Sequence, residues 1–346
     1  STSEPAYITL LKDYGGKDNI TELPDSAFAN VTTANDKGMY KKADDLGTSY
    51  YYRGAVDNNW VKFGKEGTKD IYWRIIKING DGSIRMIYSG TTKPSENTSV
   101  TGSNGVYMTG TGTQITVDSA NTFKFNSSSN KAEYVGYQYI EGQQHGYGEC
   151  NGSSASCTVN GNTLYNSIIK QQIDKWYAGT TLKDNSLVSQ DQIFCNDRSA
   201  TTSDSGTPGE ISGSMSTSTT YYYGAYVRLV TNKSPQLKCP TASDKFTSRK
   251  SSIGNKALTY PVGLITADEV AMAGGVYGSI NSSYYLYTSS FYWSGSPYDF
   301  FSDYSSAGEF SVSNGGDIGA GSVNITYGAR PVVSLSSKAK LSGNGT

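Results

Sequence analysis

Histidine is almost absent from this sequence. His145 is the only one among 346 residues, and cysteine occurs four times. The sequence therefore has too few histidines for a metal site built on several of them. Only His145 could serve in a catalytic triad of serine, histidine and aspartate. We expect no metal, no cofactor and no enzymatic activity, and we expect His145, in its polar stretch, to be an exposed loop residue.

Charged residues are also scarce, at 17% of the chain against about 25% in average globular domains. The 29 lysines and arginines nearly balance the 30 aspartates and glutamates. A nucleic-acid binder needs a basic face, so nucleic acid is not an expected partner. No stretch approaches the roughly 20 apolar residues of a membrane span.

The four cysteines, Cys150, Cys157, Cys195 and Cys239, allow three disulfide pairings. Sequential pairing is the most economical, and the spacing needed for zinc is absent. Two disulfides predict an extracellular or cell-surface protein, and four free buried thiols are the alternative. The chain starts at Ser1 rather than Met, which leaves room for a signal or an anchor ahead of it.

Chain patterning predicts an N-terminal arm over 1–48, extended and loosely docked, followed by one domain over 49–346. Strong β-formers over 71–78 lead into the Asn-Gly-Asp-Gly turn at 79–82, which predicts a β-meander near 49–89. Strands early, helices in the middle and strands late, ending at 332–335, indicate an α+β fold.

Two helices are predicted. The first follows from apolar residues at helical spacing from Leu164 to Tyr177, with Asn162 or Thr163 as its cap and Gly179 as its end. The second begins with the capping box Thr266 to Glu269 and stops at Gly274.

The C-terminal part has an unusual composition. No lysine or arginine occurs over 257–329, which carries six carboxylates. Most of 298–326 consists of Tyr, Phe, Ser, Gly, Asp and Asn. Antibody paratopes use these residue types, because Tyr gives rigid contact area and the small polar residues give adaptable hydrogen bonds. An ordinary Tyr/Ser-rich secreted surface is the alternative interpretation.

The ends of this segment carry a family resemblance. The sequences Tyr-Trp-Ser-Gly-Ser-Pro at 292–297 and Tyr-Gly-Ala-Arg-Pro-Val-Val-Ser-Leu at 327–335 resemble the last part of the C-type-lectin-like fold. The form of this fold that they resemble is the one shared by formylglycine-generating enzymes and the variable proteins of diversity-generating retroelements. Segments 50–56, 73–82 and 258–269 are similar to a gut-bacterial surface family of this kind, so the resemblance covers about 40–337.

The resemblance implies that adenine-directed mutagenesis randomises chosen codons in a ligand-binding segment over 292–326. The candidate variable, ligand-binding residues are Tyr292, Ser294, Tyr298, Asp299, Phe301, Ser302, Asp303, Tyr304, Asp317, Gly319, Ala320, Ser322 and Asn324. Framework positions would be Trp293, Pro297, Gly316, Arg330 and Pro331. We interpret Trp293 and Arg330 as buried anchors. Glutamate is not among the residues that an Asn codon randomised at its adenines can give, so we interpret Glu309 as scaffold or as a differently templated position.

These features favour a non-enzymatic bacterial binding or adhesion protein whose partner is a protein or a glycan. The triplets of calcium-dependent sugar-binding lectins are missing, and no cysteine follows Cys239 to support formylglycine chemistry. Two alternatives remain open. One is a structural subunit of a pilus or surface layer, and the other is a glycan hydrolase using paired carboxylates such as Asp299 and Asp303.

Overall fold

The computed structural model describes residues 4–94, 100–101, 107–108 and 111–343. The helices in this part are α1 (Ala6–Lys12), α2 (Ile168–Ala178), α3 (Gly224–Tyr226), continued by the π-helix Val227–Thr231, and α4 (Ala267–Ala273). Short 3-10 helices cover Lys17–Asn19, Asp25–Ala29, Thr111–Thr113, Ala132–Val135, Thr181–Asp184, Ala242–Asp244 and Ser302–Tyr304.

The first strands of the described chain are β1 (Lys37–Asp44), β2 (Gly47–Gly54), β3 (Trp60–Glu66), β4 (Lys69–Ile78), β5 (Ile84–Tyr88), β6 (Val100–Thr101), β7 (Tyr107–Met108), β8 (Phe123–Lys124), β9 (Gln138–Tyr139) and β10 (Ser156–Val159). They are followed by β11 (Asn162–Asn166), β12 (Phe194–Cys195), β13 (Ala200–Thr201), β14 (Tyr221–Tyr223), β15 (Lys245–Phe246), β16 (Tyr292–Phe301), β17 (Ser306–Val312), β18 (Ile318–Ser322), β19 (Thr326–Tyr327) and β20 (Val332–Leu335). The fold is therefore mixed α and β, as predicted.

The N-terminal sheet has the order β1-β2-β4-β5-β20, with β3 also paired to β4, and every pairing is antiparallel. The predicted meander is present, although β2 and β3 pair with opposite ends of β4. Gly82 supplies a positive φ of 84° in the β4–β5 turn. Gly80 is needed for a different reason, because a Cβ there would lie 2.2 Å from the Gly47 nitrogen.

The C-terminal sheet has the order β13-β14-β16-β17-β18 and is also antiparallel. Strand β20 continues the chain out of this region and pairs with β5 of the N-terminal sheet. The two sheets are thus joined by the last strand, and the main hydrophobic cluster includes residues of both.

The prediction of a loosely docked, extended arm over 1–48 is wrong. Ala6, Leu10 and Leu11 are buried on helix α1, and β1 pairs with β2 along its whole length. The spacing of these three apolar residues forms one helical stripe, and burying that stripe fixes the segment to the core.

The two predicted helices are present with one shifted boundary. Helix α2 begins after Ser167, whose Oγ accepts a hydrogen bond from the Lys170 nitrogen, whereas Leu164 lies on β11 opposite Cys157. Asn162 and Thr163 are therefore strand residues and not caps. The capping box of Thr266 and Glu269 is confirmed, as are the ends of the helices at Gly179 and Gly274.

The sequential disulfide pairing is confirmed, with Cys150 bonded to Cys157 and Cys195 to Cys239. Such bonds are typical of proteins outside the cytosol. His145 is not the exposed residue that we predicted, because its side chain is only 12% exposed and its Nδ1 lies 2.9 Å from Asp244 Oδ1. Across the described ranges, no helix combines the length and the apolar character that a bilayer crossing requires.

Candidate functional site

The start of the predicted variable segment is buried. Tyr292 donates its hydroxyl hydrogen to the Leu286 carbonyl at 2.7 Å, and Ser294 donates to the Phe310 carbonyl at 2.8 Å. Their exposed fractions are 0% and 1%. Both residues are therefore structural in this fold, which corrects their assignment to a ligand-binding surface.

The predicted anchors Trp293 and Arg330 are confirmed as buried. Trp293 donates from Nε1 to the Phe123 carbonyl at 2.8 Å. Arg330 donates from Nε to the Tyr88 carbonyl and from Nη2 to Ser89 Oγ, both at 2.8 Å, and its guanidinium lies 4.8 Å from the Tyr292 ring. The first half of β16 is thus tied to elements that lie far away in the sequence.

The other framework positions also lie inside the fold. Pro297 and Pro331 are buried. Gly316 has a φ of 82°, and a Cβ there would lie 1.9 Å from the Asn281 carbonyl oxygen. A side chain at Gly316 would therefore displace the backbone of the neighbouring loop.

The second half of β16 leads onto an open face of the C-terminal sheet. Asp299 is paired with Tyr222 on one side and with Gly308 on the other, and Gly308 is paired with Ser322. Directly paired residues share a face of an antiparallel sheet, so this row crosses four strands on one face.

An irregularity in the register between Pro297 and Asp299 places Tyr298 on the same face. A Cβ at Gly308 would meet Asp299 Oδ1 at 3.0 Å and Tyr298 Cδ1 at 3.2 Å. The missing side chain at Gly308 therefore allows the carboxylate and the ring to lie side by side.

Four half-buried tyrosines adjoin this row, and we call them the tyrosine cluster: Tyr222, Tyr226, Tyr277 and Tyr298. The ring centroids are 4.9 Å apart for Tyr222 and Tyr226, 5.0 Å for Tyr226 and Tyr298, and 6.0 Å for Tyr298 and Tyr277. The Tyr277 and Tyr298 hydroxyls are hydrogen bonded at 2.7 Å. The buried Phe310 ring supports both of these tyrosines edge-on, at 6.4 and 5.0 Å. The rings are thus held in place from below.

The Asp299 carboxylate stands beside this cluster, and it has no hydrogen-bond or ion-pair partner among the described residues. Burial raises its pKa to about 7. A carboxylate at such a site is costly to keep ionised, and a ligand that brings a positive charge or a hydrogen-bond donor would relieve that cost.

The end of β16 and its connection to β17 lie beside this face, and we call residues 301–304 the tip. It holds four more of the predicted residues. Phe301 and Tyr304 stack with centroids 5.5 Å apart, and Tyr304 is 80% exposed. Ser302 Oγ lies 2.9 Å from Thr220 Oγ1, and Asp303 is exposed. The tip thus offers an aromatic pair that contributes little to the core.

The remaining predicted residues are distributed over strand β18 and its flanks. Ala320 and Ser322 lie on the face of Asp299, whereas Gly319 pairs with the buried Ser311 on the opposite face. Asp317 accepts a hydrogen bond from the Ser313 hydroxyl in the β17–β18 turn. Asn324 is exposed and accepts a hydrogen bond from Ser322 Oγ at 2.8 Å. Asp317 and Gly319 are therefore separate from the others.

Sequence reasoning missed Tyr222, Tyr226 and Tyr277, because they lie outside 292–326. The run of tyrosines at 221–223 was a visible signal. Only the register of β14 against β16 shows that the middle one shares a face with Asp299, while Tyr221 and Tyr223 point into the core.

Glu309 lies on the opposite, buried face of β17. Its exposed fraction is 0%, and neither carboxylate oxygen has a hydrogen-bond partner in the described structure. Burial raises its pKa well above the usual value, and the attraction of Arg198 opposes this only in part. Its full burial agrees with the interpretation of this position as scaffold.

A second group of charges lies in the junction between the N-terminal sheet, α4 and the Cys195–Cys239 disulfide, around a cavity of about 50 Å³. Arg85 donates to both Glu269 oxygens at 2.6 and 2.9 Å. Lys77 donates to Asp44 at 2.8 Å, and Arg228 binds Asp197 and Asp268. We call these pairs the charged junction. Because its carboxylates are paired, it is not the best candidate for ligand binding.

The chain is thus a disulfide-bonded protein of mixed α and β structure with an aromatic and acidic face on its C-terminal sheet. Comparisons with family models, curated proteins and solved structures find no match to it.

Proposed function

We propose that the chain is a non-enzymatic bacterial protein, secreted or displayed at the cell surface, that binds a protein or glycan ligand through a diversified face on a C-type-lectin-like scaffold. The binding face consists of the open sheet residues and the adjoining tip, namely Tyr298, Asp299, Phe301, Ser302, Asp303, Tyr304, Ala320, Ser322 and Asn324.

One observation carries this proposal. Most of the residues expected to vary lie together on one accessible side, whereas the framework residues Trp293 and Arg330 are buried. A protein that varies its ligand contacts needs such a separation, because substitutions must leave the core unchanged.

The lectin-like scaffold is supported by the way in which the segments of the resemblance meet. Arg85 follows the turn of segment 73–82 and binds Glu269 of segment 258–269. Gly263 of that segment exchanges backbone hydrogen bonds with Val332 of the closing motif. These contacts join parts of the chain that are far apart in sequence into one framework under the face.

A paired library tests the proposal. One library randomises Tyr298, Asp299, Phe301, Tyr304, Ala320 and Ser322 with adenine-mutable Asn codons, and the matched library applies the same codons to Tyr292 and Ser294. We expect most clones of the first library to resist protease on the yeast surface and most clones of the second to be cleaved. Selection of the first library against immobilised proteins and glycans should then yield binders.

Equal cleavage of the two libraries, or no binder from the first, would contradict the proposal. Diversification has its own test in the DNA around the gene. A near-copy of codons 292–331 that differs at adenines, beside a reverse transcriptase gene, is the expected finding, and the absence of both would remove diversification from the proposal.

A further inference from the structure

The tyrosine cluster and Asp299 together have the chemistry of a site for a cation. The faces of tyrosine rings carry negative electrostatic potential and attract guanidinium and ammonium groups. A carboxylate next to such rings adds a charged hydrogen-bond acceptor. A guanidinium or ammonium group uses both features at once.

The surroundings reinforce this preference for positive charge. The sequence from 257 to 329 contributes no lysine or arginine, and Asp303 is exposed on the adjoining tip. Lys233 lies at the end of the cluster, with its Nζ 5.9 Å from the Tyr277 ring centroid. Lys233 forms no ion pair with Asp299, so the carboxylate is left for a group from outside.

We infer that this face binds a protein partner through a positively charged arginine or lysine side chain, which inserts beside the tyrosine cluster and pairs with Asp299. This inference rests on the proposed binding function and narrows its ligand from protein or glycan to a basic segment of a protein. Charge complementarity carries the choice, because an uncharged sugar would leave the Asp299 carboxylate without a counter-charge.

The fixed geometry of the rings makes the site selective. Tyr277 and Tyr298 are hydrogen bonded to each other and rest on Phe310, so they need little reordering when a ligand enters. Preorganised groups of this kind lose less conformational entropy on binding.

The test uses the whole chain with ¹³C-labelled tyrosine rings at pH 8 and low salt. The probe is N-acetyl-arginine amide, with N-acetyl-glutamine amide as the uncharged control and maltotriose as the neutral sugar. Ring signals are assigned by single Tyr→Phe variants at the four cluster positions. We expect the arginine probe to shift these signals and the glutamine probe to leave them unchanged.

Asp299→Asn should weaken arginine binding about threefold to tenfold, as expected for a charged hydrogen bond at a partly exposed site. Asp191→Asn is the matched control, since it removes an exposed carboxylate outside the binding face, and should change binding less than about twofold. Melting temperatures no lower than that of the native chain would show that both variants keep the fold.

The inference is overturned if the arginine probe shifts no cluster signal, or if Asp299→Asn binds it as well as the native chain. Shifts caused by maltotriose alone would overturn the cationic ligand while leaving the binding face in place. Failure of the proposed function is seen separately, because it requires that the randomised face yields no binder of any chemistry.

Discussion

The carboxylates of the charged junction and those of the C-terminal sheet are both shielded from water, but the two regions differ in whether a cationic side chain pairs with the carboxylate. Glu269 and Asp44 in the junction are held by Arg85 and Lys77. Glu309 and Asp299 in the C-terminal sheet have no such partner in the described structure. The same kind of group therefore fixes the scaffold in one region and opposes folding in the other.

The difference shows in the pKa shifts, which are downward for Glu269 and Asp44 and upward for Asp299 and Glu309. Asp197 in the junction is the exception, because burial raises its pKa in spite of its pairing with Arg228. Burial disfavours the charge of Glu269, but Arg85, Lys77 and the Thr266 backbone together outweigh burial and lower the pKa of that carboxyl. Burial acts almost alone on Asp299 and Glu309 and raises their pKa values. Perturbed pKa values cluster at functional sites, and Asp299 lies on the proposed binding face, whereas Glu309 lies on the buried face of the same sheet.

Breaking a junction pair should have the largest effect. Arg85→Met leaves Glu269 buried without its guanidinium partner, which should lower the free energy of unfolding by about 3–5 kcal/mol, measured by urea denaturation at pH 7. The control is Lys65→Met in the exposed pair with Asp70, where less than about 1 kcal/mol is expected. If Arg85→Met proves too unstable to purify, the double change Arg85→Met with Glu269→Leu should recover folded protein. Equal effects of Arg85→Met and Lys65→Met would contradict the structural role of the Arg85–Glu269 pair.

Replacing Glu309 should change the free energy of unfolding less than Arg85→Met does, and in the opposite direction, because the replacement should stabilise the protein. Its folded pKa lies above the unfolded value, so the folded state holds a proton that the unfolded chain releases above about pH 4.3. The free energy of unfolding therefore falls as pH rises from about 4 toward the folded pKa. Glu309→Gln should remove this fall and stabilise the protein by about 2 kcal/mol at pH 7.

Thermal unfolding from about pH 2 to about pH 8 measures this effect, and Glu269→Gln is the matched comparison. The folded pKa of Glu269 is lowered, so its stabilising effect is present above the unfolded pKa and is lost as pH falls. Glu269→Gln should therefore destabilise at pH 7 and converge on the native curve in acid. Parallel pH profiles for the two variants would show that the contrast between paired and unpaired carboxyls is false.

The smallest effect is expected at Asp299. Its carboxyl is less deeply buried than that of Glu309, so Asp299→Asn should raise the free energy of unfolding by only about 1 kcal/mol at pH 8, with no gain at pH 4. Chemical denaturation at the two pH values provides the measurement. A loss of stability at pH 8 would mean that the carboxylate has a stabilising partner in solution and is not free for a ligand.

Local signals in the sequence predicted the elements that depend on neighbouring residues. The Thr266–Glu269 capping box, the turn at 79–82 and the Cys150–Cys157 disulfide are set by short spacings, and all of them are confirmed. The Cys195–Cys239 disulfide spans 44 residues and follows because only these two cysteines are left to pair. The start of α2 was misplaced because Leu164 fits the helical period by coincidence while its backbone pairs with Cys157. Apolar periodicity alone does not show which side of a strand–helix boundary a residue lies on.

The burial of Tyr292 and Ser294 could not be predicted from alternation along one strand. The beginning of β16 is covered on both faces by segments far away in the sequence, including Phe123 to Phe125. The site predicted from the sequence lacked Tyr226 and Tyr277 for the same reason. These residues belong to other elements and meet Tyr298 only in the folded chain. The partner of Glu269 also lies 184 residues away, and a spacing of that size carries no local signal.

The backbone nitrogen of Ala6 donates to the carbonyl of Ala339 at 2.7 Å, so the two ends of the described chain meet at one point. A short linker could join them, and the chain could be reopened in a surface loop to give a circular permutant. The same closeness makes the domain suitable as a cassette, because it can be inserted into a loop of a host protein without forcing the host strands apart. A sensor protein built in this way would present the tyrosine cluster on an inserted domain that is attached to the host through its two neighbouring chain ends.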